Sequence, residues 1–348
     1  MSSDDLYSQL KPAWHEDALA ALRAGKVPRP VHVQLVLANL CNQGCLFCAY
    51  RSITGLSHAL FDEGQVMPRV IAEEIIDDCA ALGVKAIQFT GGGEPTVHPD
   101  HLALIARAQA HGMDTALVTN GVRLTPSSAA VEGLMWIRVS VDAGDARMYA
   151  RVRRCPESHW ARVWRLIRYL GKRHHYVGTL GVGFVVTPTN YAGIRDAARL
   201  ARDAGAHNLR VGAVFTSEGL DYYGDSISAI HLAIAEAKDE CDVAGGFQVI
   251  DLFGRRLNDL EAGPPTNPVC LYQYITIYIG ADLQVYRCCN TAYTKAGRLG
   301  ALANGTRLRD LVLGYESFDA RQCRLCQFRG QNAALRALVR PPEHVNFV

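Results

Sequence analysis

Short apolar runs rich in β-branched residues recur along the chain at 31–38, 86–90, 114–119, 136–142, 178–187 and 208–215. Between them lie stretches of helical length with apolar residues spaced three and four apart, at 69–82, 100–112, 157–173 and 192–205. This alternation predicts strands joined by helices. Parallel strands need crossover connections, so six strands in series with intervening helices predict a parallel sheet with helices outside. Six strands are fewer than a closed eight-unit barrel requires. The expected fold class is therefore α/β, a partial (β/α)6 barrel with its ligand groups after the C-terminal strand ends.

The flanks carry other patterns. Leu6, Leu10, Trp14, Ala18 and Leu22 fall at helical spacing and predict a lead-in helix over residues 4–26, ended by Pro28 and Pro30. Residues 219–265 hold an aromatic-acidic turn and a helix-like run, Ile227 to Cys241, and are expected to form a connector. Further on, residues alternate from Tyr274 to Ile279 and from Leu283 to Tyr286 around Gly280–Asp282, which predicts a β-hairpin. A short helix is expected at 306–313. The expected organisation is a lead-in helix (1–30), a partial-barrel core (31–218), a connector (219–265) and a small α+β domain (266–348).

Composition narrows the class. A formal charge of +2 over 348 residues excludes a strongly polyanionic or polycationic protein. The basic residues are uneven, however. Between Arg147 and Arg173 they far outnumber the single acid, Glu157, and Arg321 to Arg340 carries arginines and no acid. Such segments are either solvated faces or contacts for an anionic substrate such as a nucleotide or nucleic acid. The eleven cysteines sit mostly in tight pairs and triplets, which favours metal ligation in a reducing compartment over a secreted disulfide framework. With no signal-like start and no membrane-length apolar run, a cytoplasmic location and no membrane partner are expected.

The densest chemistry lies at Ala38 to Tyr50, where Cys41, Cys45 and Cys48 form a C-x3-C-x2-C array directly after the first strand. Full ligation of a [4Fe–4S] cluster takes four cysteines, so three leave one iron open to an external ligand. A zinc knuckle would usually add a second Cys/His pair close by, and the next tight pair of cysteines lies beyond residue 270. After the second strand stands Gly91-Gly92-Gly93-Glu94, a turn that lets backbone approach a ligand closely beside an acid able to accept from an ammonium group. Thr119-Asn120-Gly121 follows the third strand, and Ser140-Val141-Asp142 the fourth. Thr187 and Asn190 follow the fifth, and Thr216, Ser217 and Glu218 the sixth. Short polar residues at such places also serve as turn formers and caps.

These motifs together resemble the radical S-adenosylmethionine (radical SAM) enzymes, whose signature is a three-cysteine loop with an aromatic residue, here Phe47, before the last cysteine. The resemblance implies that S-adenosylmethionine chelates the open iron. The reduced cluster then cleaves it to methionine and a 5′-deoxyadenosyl radical, which abstracts hydrogen from substrate. It implies Cys41, Cys45 and Cys48 as cluster ligands, and a cofactor pocket of Phe47, Tyr50, Gly92, Gly93, Glu94, Asn120, Ser140 and Asp142. Glu94 would hold the methionine ammonium, and Arg153 would pair with the carboxylate. An electron donor such as flavodoxin or ferredoxin is implied as partner.

Cys270 precedes the predicted hairpin, Cys288-Cys289 ends it, and Cys323 and Cys326 form a C-x2-C pair. Four thiolates suit structural zinc or a second iron–sulfur cluster equally on spacing alone. The arrangement resembles the SPASM domain, or its shortened twitch form, that follows many radical SAM cores. That resemblance implies one auxiliary [4Fe–4S] cluster on Cys270, Cys288, Cys323 and Cys326, with Cys289 as the alternative to Cys288. Cys79, Cys155 and Cys241 are expected to be packing residues. The expected function is radical chemistry on an unidentified substrate, peptide or small molecule, with a nucleoside or nucleic-acid base as alternative. The rival of another class is a non-catalytic zinc or iron–sulfur protein, which leaves Gly91 to Glu94 without a purpose.

Overall fold

A computed structural model describes residues 7–52, 59–172, 176, 178–314 and 317–340. The six apolar runs form strands β1 (His32–Val36), β2 (Ala86–Thr90), β3 (Asp114–Thr119), β4 (Trp136–Ser140), β5 (Thr179–Val186) and β6 (Asn208–Ala213). Each pairs in parallel with the next. A seventh parallel strand, β7 (Gln248–Asp251), pairs with β6 inside the stretch expected to be a connector. Only two of its four residues, Val249 and Ile250, are apolar, too few to show a period.

The hairpin forms as β8 (Thr276–Ile279) and β9 (Gln284–Tyr286), with the Gly280 amide donating to Gln284 O at 3.0 Å. A further antiparallel strand, β10 (Arg298–Ala301), pairs with β9. β8 runs parallel beside β1, with His32 opposite Thr276. All ten strands therefore make one open sheet in the order β10-β9-β8-β1-β2-β3-β4-β5-β6-β7. The hairpin covers the β1 edge, which would otherwise present unpaired backbone groups.

Successive strand residues face opposite ways, and this sorts the sheet. Val33, Leu35, Ile87, Phe89, Ile137, Val139, Leu209 and Val211 are fully buried and pack with helix residues such as Ile76, Leu104, Ile167 and Ala197. The intervening Gln34, Gln88, Arg138, Ser140 and Arg210 line an interior cavity instead. A closed barrel fills its interior with branched side chains; this open one keeps a polar hollow.

The lead-in segment differs from expectation. It is a 3-10 turn, Lys11–Trp14, followed by a helix, Glu16–Arg23. His15, at φ −116° and ψ 68°, breaks the helical phase between them. Leu10 and Trp14 are consequently exposed, Trp14 by 86%, while Ala18, Leu19 and Leu22 pack with Ile275 and Leu335. Leu6 and Arg173 lie outside the described residues. Among the described residues no helix is long and apolar enough to cross a membrane.

Candidate active site

The cysteine loop leaves β1 through Asn39, a fully buried polar residue. Its side-chain amide donates to Asp62 O at 2.9 Å and to Gln65 Oε1 at 3.2 Å, and its Oδ1 accepts from the Tyr293 hydroxyl at 2.6 Å. The loop then docks on the end of the helix Ala146–Arg153. The Gly44 amide donates to Arg153 O at 3.0 Å and the Leu46 amide to Val152 O at 2.9 Å. Carbonyls at a helix C-terminus lack intrahelical donors, so the loop satisfies them and is fixed in return. Arg51 closes the loop by donating to Gln43 O at 3.2 Å and Asn39 O at 3.0 Å.

Held this way, Cys41, Cys45 and Cys48 all line the cavity. Burial raises the Cys41 thiol and pushes Cys45 up to about 12, with Arg153 opposing the rise at Cys45. The thiolate is the metal ligand, and a cationic centre at the loop would supply the charge that burial withholds. Three convergent thiols on a fixed loop facing a cavity fit a three-point cluster site. Among the described residues no three His, Cys, Asp or Glu side chains close on a single ion-sized position.

The glycine loop after β2 is zipped onto this loop. The Gly93 amide donates to Ala38 O and the Glu94 amide to Leu40 O, both at 3.0 Å. A Cβ on Gly93 would fall 2.2 Å from Leu40 O, and one on Gly92 would fall 2.3 Å from Asn39 Oδ1. The close approach expected toward a ligand is made toward the cysteine loop itself. Glu94, 3% exposed, then accepts from the Thr96 amide (3.1 Å) and hydroxyl (2.7 Å), the Thr119 hydroxyl (2.5 Å) and the Asn120 amide (2.7 Å). Every donor is neutral, and among the described residues no cation pairs with this carboxylate. A buried unpaired carboxylate with fixed geometry fits an ammonium ligand.

Across the cavity, Asp142 sits at φ 59° just past β4, a left-handed conformation uncommon outside glycine. The Asn190 side chain steadies it by donating to its carbonyl at 2.9 Å. Its carboxylate forms a buried ion pair with Arg153 and accepts from the Val185 amide at 2.6 Å. Burial lifts the Asp142 carboxyl above the usual range, while Arg153 pulls the other way. Arg153 also donates to Gln43 Oε1 at 2.7 Å. The pair therefore ties β4 to the cysteine loop. Tyr50 stacks on Phe61 at 5.0 Å and shares a hydrogen bond with the Tyr278 hydroxyl at 3.0 Å. Its hydroxyl is thus turned to the hairpin. Together with Phe47, Asn120 and Ser140, all twelve expected core residues line one cavity of about 600 Å³.

The C-terminal cysteines form a second group. Cys270, Cys288, Cys323 and Cys326 lie close enough for Cys323 to feel the charge of the other three. Burial pushes Cys270 up to about 12 and raises Cys288 and Cys326. An antiparallel bridge between Val269 and Asp319 joins the segment of Cys270 to that of Cys323 and Cys326. None of the four lines the cavity, whereas Cys289 does, accepting from Gln327 Nε2 at 3.2 Å. Cys270, Cys323 and Cys326 each feel the charge of Cys288, and Cys289 feels that of Cys288 and Cys326.

Residues 35–201 match the family model of the radical SAM superfamily. The chain carries a radical SAM domain. Mycofactocin maturase MftC of Mycobacterium tuberculosis (strain CDC 1551 / Oshkosh) is 30% identical over 202 residues, covering 56% of this chain and 48% of the relative. A probable GTP 3′,8-cyclase of Pyrococcus abyssi is 30% identical over 127 residues, covering 36% of this chain and 39% of the relative. The chain thus spans about half the length, or less, of the curated relatives it matches. Among solved structures, Streptococcus suis SuiB bound to S-adenosylmethionine superposes with a TM-score of 0.61 at 13% identity. That match covers 88% of this chain and 71% of SuiB. SuiB has also been solved bound to its precursor peptide SuiA, with a TM-score of 0.55 at 14% identity over 95% of this chain and 69% of that one. These likenesses establish a shared fold.

Several expected positions around the radical SAM domain's cavity fall elsewhere. Thr187 and Asn190 hydrogen-bond each other in a turn behind Asp142, and Thr216, Ser217 and Glu218 lie past the rim; none lines the cavity. Ala213, Val214 and Phe215 take the place of the last three. Among the described residues of the two arginine-rich segments, Arg153 alone reaches the cavity. Asn39, Gln43 and Arg51, which hold the cysteine loop, were not singled out, and their polarity beside the cysteines was the signal. Cys79 and Cys241 are fully buried packing residues.

Proposed function

We propose that the chain is an enzyme that binds a [4Fe–4S] cluster on Cys41, Cys45 and Cys48 and S-adenosylmethionine beside it. The bound groups would supply reductive cleavage to methionine and a 5′-deoxyadenosyl radical able to take hydrogen from substrate. The observation that carries this reading is convergence: the cysteine loop, the buried Glu94 and the Asp142–Arg153 pair meet at one cavity. Glu94 accepts from the methionine ammonium, and Gly92 and Gly93 hold the carboxylate in place by locking its loop to Asn39 and Leu40. Ser140, Asn120 and Phe47 complete the pocket. Arg153 offers its remaining guanidinium nitrogen, Nη2, to the cofactor carboxylate.

Cys270, Cys288, Cys323 and Cys326 would hold an auxiliary [4Fe–4S] cluster, which would supply electron transfer to or from substrate. A small donor such as flavodoxin or ferredoxin reduces the first cluster in the cytoplasm. A peptide substrate is favoured by the maturase name of the MftC relatives and by the precursor peptide bound to SuiB.

Anaerobic reconstitution with iron, sulfide, reductant and S-adenosylmethionine tests the reading. It should give roughly eight iron atoms per chain and release 5′-deoxyadenosine. Reconstituted protein that binds iron at Cys41, Cys45 and Cys48 yet never forms 5′-deoxyadenosine would overturn it. Stoichiometric zinc at the C-terminal site with half that iron would remove only the auxiliary cluster.

A further inference from the structure

Beyond the cofactor residues the cavity continues to a cluster of arginines. Arg138 on β4 and Arg210 on β6 flank β5, where Gly181 is the Cα partner of Arg138 and Gly183 that of Arg210. A Cβ on Gly183 would lie 3.5 Å from Cγ and Cδ of Arg138, so that side chain extends across the glycine. Arg255 and Arg256 join them from the start of the helix Phe253–Glu261, which follows β7. All four line the cavity; Asp259 stands 3.8 Å from Arg256 and also feels Arg255, and Asp142, already paired with Arg153, also feels Arg138.

These cations are poorly compensated. Arg255 is exposed to solvent, but among the described residues the half-buried Arg138 and Arg210 have no ion-pair partner, and the Arg210 Nε is buried without a hydrogen-bond acceptor. Aromatic faces stand in for anions: Arg210 lies over Tyr7 at 5.5 Å and Arg256 over Phe215 at 4.5 Å. Burial, then repulsion from Arg138, pushes Arg210 down to about 9. Buried charge of one sign is costly unless something pairs with it, and guanidinium forks match the geometry of carboxylate and phosphate oxygens.

We propose that this arginine cluster binds an oxyanionic group of the substrate, phosphate or carboxylate, and so orients the remainder toward the cysteine loop. The proposal deepens the radical SAM reading of the same cavity and rests on it. It also relocates the anion contact, which sequence suggested for the segments 147–173 and 321–340, to arginines standing singly within strands and at a helix start.

The test uses the reconstituted full chain with pyrophosphate and citrate as probes, followed by calorimetry and thermal melting. Saturable binding of at least one probe is expected, and the tighter probe distinguishes a phosphate from a carboxylate group. Arg210→Gln and Arg138→Gln should each weaken it about tenfold or more, while the exposed Arg309→Gln leaves it unchanged. S-adenosylmethionine affinity should stay at the parent value in all three. Without anion, the Tm of Arg210→Gln should hold or rise, because an unpaired buried charge has been removed. A clear fall in Tm for both cavity variants would make the arginines structural braces and overturn the proposal. Absence of saturable binding, or binding unaffected by both variants, would overturn it too. If 5′-deoxyadenosine forms but no anion binds, the anion site falls and the radical reading stands. Anion binding without 5′-deoxyadenosine gives the reverse.

Discussion

Glu94 and Asp142 are both buried carboxylates, but they are compensated differently, and this sets different consequences for neutralising each. Glu94 is held by four neutral donors and, among the described residues, no cation. Glu94→Gln keeps the shape and removes the charge that would meet an ammonium group. A charge-assisted hydrogen bond contributes roughly 1.5–3 kcal/mol, so S-adenosylmethionine affinity should drop about ten- to a hundredfold by titration calorimetry. An unaltered Kd would take Glu94 out of the pocket. Asp142 instead neutralises Arg153, which is 5% exposed. Asp142→Asn leaves that guanidinium buried without its counter-charge, which typically costs about 3–5 kcal/mol. The urea midpoint of the apo protein should fall accordingly, with no cofactor present. A midpoint equal to the parent's would mean that Gln43 alone satisfies Arg153.

At the scale of elements, strand ends do the positioning, and two glycines show how tightly. The Gly93 Cβ position meets the carbonyl oxygens of Leu40 and Asn39, backbone atoms with no side-chain freedom to move aside. The Gly183 position meets the flexible Arg138 side chain and Ser140 Cα, all at ordinary contact distance. Gly93→Ala should therefore part the glycine and cysteine loops, costing roughly 1–3 kcal/mol and lowering iron uptake, whereas Gly183→Ala should melt and load iron like the parent. Equal behaviour of the two variants would contradict the zipped loops. The same contrast explains what could be read from sequence. The six core strands and the hairpin announced themselves through runs long enough to show a period, and the cysteine loop through spacing. β7 has too short a run to show one, and Trp14 kept helical phase on paper until His15 broke it. Arg138 and Arg210 were hidden for another reason. Each stands alone inside an apolar strand, and only the sheet register brings them together with Arg255 and Arg256.

At the scale of the whole molecule, the C-terminal segment belongs mechanically to the core. Its hairpin extends the sheet at β1, its Tyr293 hydroxyl holds Asn39 at the root of the cysteine loop, and its Tyr278 holds Tyr50. Cys323 and Cys326 lie further along, past β10, on a stretch that makes none of these contacts. The bracing contacts and the proposed cluster site are thus separable by mutation. Changing Cys323 and Cys326 to Ala should remove the proposed auxiliary cluster, taking iron from about eight to about four atoms per chain, while the braces on the cysteine loop persist. Metal binding can itself contribute to folding, so circular dichroism and elution volume must match the parent before activity is compared. The folded double variant should still cleave S-adenosylmethionine and release 5′-deoxyadenosine, because Cys41, Cys45, Cys48 and Glu94 keep their supports. If that cluster carries electrons to or from substrate, as proposed, substrate turnover should stop. Should the cluster-free variant convert substrate at the parental rate, the four cysteines would have no part in catalysis, and the tail would serve only as the brace that Tyr278 and Tyr293 make of it.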